Sequence, residues 1–254
     1  MNHREDWLEW TERRDRQIGA PDGPLSLTAL HWLDDVDTSY PEVPGTWRAA
    51  GELVVVTAST ADGLSLDGQP VAEVTTLDPS DDLRIQFADG IIEVIRRSGS
   101  PAIRVRDPQA PARLTFSTLP RYDFDADWRL TARFEPYPQA QTRQVGSVVE
   151  GVSHETKTLG EVVFEVDGTP HRLVVFGESD RFWVLFRDRT SGVTTAGAAR
   201  SMALPEPAAD GSTIVDFNRA GNLPCAYNDF STCPVPLPEN RLDLAVTAGE
   251  QLLN

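Results

Sequence analysis

The chain has 254 residues, with 23 Lys+Arg against 39 Asp+Glu and a formal net charge of −16 at pH 7. This length allows one large domain or two modest ones, and a hydrophobic content of 40% argues against wholesale disorder. The acidic surface disfavours nucleic acids and anionic membranes as partners, because both are recognised through basic groups.

Residues 1–46 are predicted to form a helical cover at the N-terminus. Trp7, Trp10, Arg14 and Ile18 recur at helical spacing, which predicts a helix over residues 3–18. The sequence predicts one or two helices here, since a second short helix, Leu27 to Leu33, would begin at Ser26. No apolar run resembles a signal peptide or a membrane span, so we expect a cytoplasmic protein.

From about Trp47 onward the apolar residues follow the period of two that is typical of strands. Asp-Gly pairs at 67–68, 89–90 and 167–168 indicate hairpin turns. We therefore predict a mainly β fold, with an antiparallel barrel or sandwich-like core over residues 47–254 that forms one structural unit with residues 1–46. The predicted strands are 52–58, 63–66, 70–76, 83–88, 90–97, 102–106, 112–117, 129–135, 144–152, 161–167, 171–177, 181–187, 213–217 and 242–247.

The sequence lacks the standard catalytic, nucleotide-binding and metal-binding motifs. It contains no G-x-G-x-x-G, no Walker-type loop and no G-x-S-x-G, and His154-Glu155 is not followed by the second histidine of a zinc-protease helix. The four histidines are scattered, so no metal site is predicted. Cys225 and Cys233 are interpreted as structural thiols, with a disulfide or reactive thiols as the alternatives.

Residues 188–241 form a long irregular segment at the C-terminal end, rich in Gly, Pro, Asn and Arg. Such a segment inside a compact chain is usually functional or disordered, and its aromatic residues argue against disorder. Arginine suits planar contacts with carboxylate or phosphate, and asparagine holds irregular loops by bonding to the backbone. The candidate ligand-binding residues are Arg187, Arg200, Asp216, Asn218, Arg219, Asn222, Cys225, Asn240 and Arg241.

An equally physical alternative is that these residues bond to the protein itself. Arg219 would pair with Asp216 and Arg241 with Glu239, while the asparagines would satisfy the backbone of the loop. The same side chains would then hold the segment in place and bind no ligand.

Three motifs in this region carry a family resemblance. They are F-R-D-x-T-S-G from Phe186, D-F-N-R-A-x-N-x-P-C-A-Y from Asp216, and C-P-x-P-x-P-E-N-R-L from Cys233. With them the sequence resembles domain-of-unknown-function family 1684 of bacteria and archaea over most of its length. It departs from the family pattern at 197–200, where Gly-Ala-Ala-Arg stands without flanking aromatic residues. The family has no established activity, so the resemblance implies membership without chemistry.

Three functions remain open from the sequence. The first is binding of a small polar or anionic molecule by the arginine- and asparagine-rich segment. The second is an enzyme, hydrolase-like or flavin-dependent, with Asp216, Glu239 and Cys225 as the acid–base candidates. The third is a structural domain in which the motif is a folding clasp. The cofactor, the ligand and the oligomeric state are left open.

Overall fold

The protein is mainly β and divides into two compact units. The computed structural model describes residues 2–81, 83–178 and 181–253. The first unit consists of Met1–Asp15, Thr118–Tyr227 and Thr232–Asn254, and the second of Arg16–Ser117 and Asn228–Ser231. The predicted fold class is confirmed, with antiparallel sheets that are open and sandwich-like, not a closed barrel. That the chain forms one structural unit stays a prediction.

The predicted N-terminal helix is present with the predicted bounds, as α1 (His3–Ile18). Its start is closed by a reciprocal capping box. The Glu5 backbone N–H donates to Asn2 Oδ1 at 2.9 Å, and the Asn2 backbone N–H donates to Glu5 Oε2 at 3.1 Å. Such caps satisfy backbone donors that have no partner within the helix.

The second unit is built from two antiparallel sheets around one apolar core. The larger sheet has the strand order β1-β10-β9-β8-β5-β6 and the smaller has β2-β3-β4-β7. Both contribute buried side chains to one cluster, among them Trp47, Val56, Ile92 and Ile103. The strands are β1 (Leu27–Trp32), β2 (Thr38–Tyr40), β3 (Val43–Ala50), β4 (Leu53–Ala58), β5 (Ser65–Leu66), β6 (Gln69–Pro70), β7 (Glu73–Leu77), β8 (Arg84–Phe87), β9 (Gly90–Arg97) and β10 (Ser100–Arg106).

Four sequence predictions of local structure are wrong. The segment 144–152 is not one strand, because it contains the end of β11 (Arg129–Gly146) and the turn that precedes β12 (Ser153–Val166). The segment 27–33 is not a second helix, because Leu27–Trp32 pairs with β10 and this pairing outweighs its local helical pattern. The segment 112–117 is not a strand, since it begins with the short helix α2 (Pro111–Leu114), which has proline in its first turn. The segment 242–247 is not a strand either, although its apolar residues are buried.

The first unit contains a seven-stranded antiparallel sheet with the order β16-β11-β12-β13-β14-β15-β17. Its central strands are buried on both faces: Leu173 and Val175 lie in one apolar cluster, and Val174 and Phe176 in another. The strands are β11 (Arg129–Gly146), β12 (Ser153–Val166), β13 (Thr169–Glu178), β14 (Arg181–Phe186), β15 (Arg200–Leu204), β16 (Ser212–Asp216) and β17 (Gly221–Asn222).

The irregular C-terminal segment covers both faces of this sheet. Leu237 belongs to the cluster that contains Val174, whereas Leu242 and Val246 belong to the cluster that contains Leu173. The chain therefore passes from one face of the sheet to the other between Leu237 and Leu242. This position explains why the segment is irregular and yet well buried.

Candidate functional site

The central motif begins where β16 ends, in a 3-10 turn over Phe217–Arg219. Asp216 caps this turn, since its carboxylate accepts hydrogen bonds from the Asn218 backbone N–H at 3.2 Å and from Asn218 Nδ2 at 3.0 Å. Asn218 is buried, and its side chain also bonds both backbone groups of Asp125. The turn is thus held rigidly, and Arg219 is the residue that it presents outward.

A depression of about 230 Å³ lies beside this turn. Arg129 and Asp216 are direct cross-strand partners of β11 and β16, so their side chains share one face of the sheet. Arg219 completes a group in which two guanidinium groups meet two carboxylates, from Asp216 and Asp6. The lining residues are His3, Asp6, Arg129, Ala203, Pro205, Ile214, Asp216 and Arg219.

Arg129 and Arg219 have N–H groups that are available to a ligand. Within the described residues, the Arg129 side chain has no hydrogen-bond or ion-pair partner. Arg219 Nε lies 3.5 Å from Asp216 Oδ2 and makes no hydrogen bond with any residue that the structure describes, and the side chain is 36% exposed. Guanidinium groups in this condition can take a carboxylate or a phosphate in a two-pronged contact.

Helix α1 fixes the other wall of the depression. The Trp7 indole donates a hydrogen bond to the Asn218 carbonyl at 3.1 Å, and its ring centroid lies 5.6 Å from that of Phe124. Because Trp7 is anchored to the motif, the first turn of the helix places His3 and Asp6 in the lining. Helix α1 and the motif that begins at Asp216 therefore line the same depression.

Beyond the turn, the motif closes around the buried carboxylate of Glu250. This carboxylate accepts hydrogen bonds from Arg14 Nε at 2.9 Å, from the Asn222 backbone N–H at 2.6 Å and from the Tyr227 hydroxyl at 2.8 Å. The Glu250 side chain has no exposed surface and that of Arg14 is 19% exposed. Burial and the Glu250 charge raise the pKa of Tyr227 above its usual range.

Two glycines make this arrangement possible. A Cβ on Gly221 would lie 3.3 Å from Arg14 Nη2 and 3.4 Å from Glu250 Oε2. Gly249 has a φ of +80°, and a Cβ there would lie 2.4 Å from the Ala220 carbonyl oxygen. A larger residue at either position would crowd the ion pair or strain the backbone.

A second buried ion pair lies at Arg200. Its guanidinium group is 3.4 Å from Asp188, and both side chains are fully buried. Nη2 also donates to the Val246 carbonyl at 3.1 Å, and Nη1 donates to the Ala248 carbonyl. Burial lowers the pKa of Arg200 more than attraction to Asp188 raises it. Arg200 thus holds the C-terminal segment against the sheet.

Asn240 lies at the point where the segment crosses the sheet. Its side chain accepts from the Val174 N–H at 2.7 Å and donates to the carbonyls of Val174 and Leu185, both at 2.9 Å. The regular pairing of β13 with β14 ends at Phe176 and Trp183. Asn240 therefore satisfies backbone groups of two strands where those strands have parted.

The family model described as "Protein of unknown function (DUF1684)" matches residues 114–251, which is more than half of the chain. The protein belongs to the DUF1684 family. The resemblance noted from the motifs is thereby confirmed.

One solved structure with a similar sequence is the solution NMR structure of an uncharacterised protein from Haloarcula marismortui. It is 31% identical, covers 55% of this chain and 78% of its own, and has a TM-score of 0.46. No curated protein matches this chain. DUF1684 membership thus brings no activity with it.

The remaining candidates in the DUF1684 motifs lie apart from the depression. The backbones of Arg187 and Arg241 form a parallel bridge, and Arg241 is exposed. Glu239 pairs with Arg143 at 2.8 Å, not with Arg241 as the alternative reading expected. Cys225 and Cys233 are both free thiols, and their contact, together with burial, raises the pKa of Cys225.

Of the nine predicted site residues, Asp216 and Arg219 belong to the described lining of this depression. Arg200, Asn218, Asn222 and Asn240 are buried and bonded to the protein itself. Sequence reasoning missed Arg129, Glu250 and Tyr227. One signal was available, since a charged Arg14 on the apolar face of a predicted helix indicates a buried partner.

The described part of the chain offers neither a membrane-spanning helix nor a cluster of metal ligands. No helix there is both long enough and apolar enough to cross a membrane. Nor do any three side chains of His, Cys, Asp or Glu type come together there as a metal would require.

Proposed function

We propose that this protein binds a small polar molecule with an anionic group in the depression lined by Arg129 and Arg219. The observation that carries the proposal is that these two guanidinium groups line one depression while Arg129 lacks a partner among the described residues. A carboxylate or phosphate would accept their hydrogen bonds.

The charges around the depression define the ligand further. Asp6 and Asp216 lie beside the arginines, so the described lining holds two carboxylates and two guanidinium groups. A ligand that also carries a hydrogen-bond donor or an amino group would use the carboxylate of Asp6. The volume of about 230 Å³ suits a small ligand that carries only a few functional groups.

The buried part of the motif supports the depression and does not line it. Asn218 anchors the 3-10 turn through Asp125 and Trp7, and Arg200 and Glu250 hold the segment that follows. In this proposal the buried side chains of Asn218, Asn222, Asn240, Arg200 and Glu250 hold the segment rigidly, and Arg219 is the arginine of the motifs that lines the depression.

The test begins with a thermal-shift screen of carboxylates, phosphates, amino acids and nucleotides on the full chain. Each hit is then titrated by calorimetry against Arg219→Ala and Arg129→Gln. We expect each substitution to weaken binding about tenfold or more, because each removes a charge-assisted contact. Arg189→Ala is the matched control, since Arg189 is 63% exposed and lies in the same segment.

The same variants separate ligand binding from a purely structural role. Arg219 makes only a loose, partly exposed contact with Asp216, so Arg219→Ala should lower the free energy of unfolding by less than about 1 kcal/mol. A larger loss of stability without any effect on binding would favour the clasp as the whole role of the motif. A screen in which no hit depends on Arg219 or Arg129 would contradict the proposal.

A further inference from the structure

A second group of arginines lies in the second unit, outside the region matched by the family model. Glu93 is at the centre of a cross-strand row, with Arg84 of β8 opposite it on one side and Arg104 of β10 opposite it on the other. Directly opposed residues in a sheet share a face, and Arg106 follows two positions after Arg104 on the same face. The other face of these strands carries Ile85, Ile92 and Val105, which lie in the core.

The row lines a depression of about 300 Å³. Arg104 and Arg106 are largely buried there, with side chains that are 17% and 14% exposed, while Arg84 at the rim is 45% exposed. The lining residues are Asp22, Leu83, Arg84, Glu93, Val94, Ile95, Arg104 and Arg106.

The charges in this lining do not balance. Among the described lining residues, three arginines face the carboxylates of Glu93 and Asp22, which gives a formal charge of +1 in a protein whose net charge is −16. Arg106 Nε bonds Glu93 Oε1 at 2.7 Å, and Arg84 lies 3.1 Å from Asp22 and 3.9 Å from Glu93. The single carboxylate of Glu93 is therefore shared among three cations.

Arg104 is the residue left worst satisfied. Its Nη2 forms a 2.7 Å ion pair with Glu93 Oε2, but Arg104 Nε is buried without a hydrogen-bond partner among the described residues. Burial lowers the pKa of Arg104, and the neighbouring Arg97 and Arg106 lower it further against the attraction of Glu93. Buried donors without acceptors are costly and call for a bound water or ion.

We propose that this depression is a binding site for the phosphate group of a small molecule, held by Arg84, Arg104 and Arg106. A tetrahedral oxyanion offers several acceptors to guanidinium groups that approach from different strands. It supplies the acceptors that Arg104 lacks and neutralises the excess positive charge. The site is independent of the depression at Arg129 and Arg219, which lies in the first unit.

The experiment titrates inorganic phosphate into the full-length protein by calorimetry, with ionic strength held constant by chloride. We expect saturable binding in the wild type and also in Arg219→Ala, which removes the other arginine site from the measurement. Arg84→Gln should weaken phosphate binding about tenfold, because it removes one charged contact from an exposed position that the fold tolerates.

The matched control is Arg96→Gln. This substitution removes the same charge from the same sheet. Arg96, however, lies three positions after Glu93 and therefore on the opposite face of the sheet, where it pairs with Glu52 at 2.8 Å. Phosphate affinity should be unchanged in this variant. Equal weakening in Arg84→Gln and Arg96→Gln, or no binding beyond the effect of chloride, would overturn the proposal.

A second variant distinguishes the site from a merely structural row of ion pairs. Glu93→Gln removes the carboxylate that competes with the ligand, so a phosphate site should bind phosphate more tightly in this variant, by about tenfold. Circular dichroism checks that the variant is folded, and if it is not, Arg84→Gln alone decides. A folded Glu93→Gln protein whose phosphate affinity is unchanged or lower would contradict the proposal.

Discussion

Glu250 shows how a single residue can join distant parts of the first unit. Its carboxylate accepts hydrogen bonds from helix α1 through Arg14, from β17 through Asn222, and from the following turn through Tyr227. This side chain has no exposed surface, so water does not screen its charge and these contacts compensate it. Removing one partner of such a buried pair leaves the other uncompensated, which is far more damaging than loss of a surface pair.

We therefore expect Glu250→Gln to lower the free energy of unfolding by about 3–5 kcal/mol, because Arg14 would lose its counter-charge in a buried position. Urea denaturation of both proteins measures the difference. Glu239→Gln is the matched control, since Glu239 is 50% exposed in its pair with Arg143 and should cost less than about 1 kcal/mol. Similar losses in the two variants would show that the Glu250 network contributes no more than a surface ion pair.

At the scale of elements, the irregular C-terminal segment acts as a cover for both faces of the seven-stranded sheet. It crosses between the faces at Asn240, where the pairing of β13 with β14 has ended. The amide of Asn240 has one acceptor and two donor hydrogens, and here they meet the backbone groups of Val174 and Leu185. A polar residue in this place thus replaces the missing strand-to-strand hydrogen bonds.

Asn240→Ala should lower the free energy of unfolding by about 2–4 kcal/mol, because it leaves three buried backbone groups without a partner. Chemical denaturation measures the loss, and hydrogen exchange should show faster exchange at the Val174 amide. The control is Glu239→Ala at the preceding, exposed residue. A change at Val174 no greater than in this control would mean that the side chain of Asn240 does not hold the two strands together.

At the scale of the whole molecule, carboxylates with lowered pKa values make the stability of the fold depend on pH. The pKa of Asp15 lies below its ordinary value of 3.8, since hydrogen bonds from Arg121, Thr118 and the Leu119 N–H outweigh the effect of burial. The pKa of Glu93 is also lowered, because Arg104 and Arg106 outweigh its burial. A carboxyl whose folded pKa is depressed stabilises the protein above its unfolded pKa, and that stability is lost as the pH falls through the folded value.

The free energy of unfolding should therefore fall steeply as the pH drops below about 4, and Asp15→Asn should make this fall shallower while lowering stability at pH 7. Denaturation series at several pH values test both effects. Asp243→Asn serves as the control, since this carboxylate is 87% exposed in its pair with Arg189. If Asp15→Asn and Asp243→Asn gave the same pH profile, Asp15 would not be a source of the acid dependence.

Local sequence was a good guide wherever neighbouring residues decide the structure. The helix over 3–18 has the predicted bounds, and Asp67-Gly68 and Asp167-Gly168 both have the positive φ angles that a two-residue hairpin turn demands. Prediction failed at 27–33 and 242–247, where the structure depends on a partner far along the chain. The former pairs with β10, and the latter packs on the sheet without forming a strand.

The sequence by itself determined the fold class, the N-terminal helix, the acidic composition and the family motifs, because each is encoded in composition or in short-range spacing. Only the tertiary structure decided which motif residues face outward. The register of β11 against β16 places Arg129 opposite Asp216. Arg200, Asn222 and Asn240 are buried instead. An arginine has the same donors in both settings, so its role depends on whether an acceptor of the protein already lies within reach.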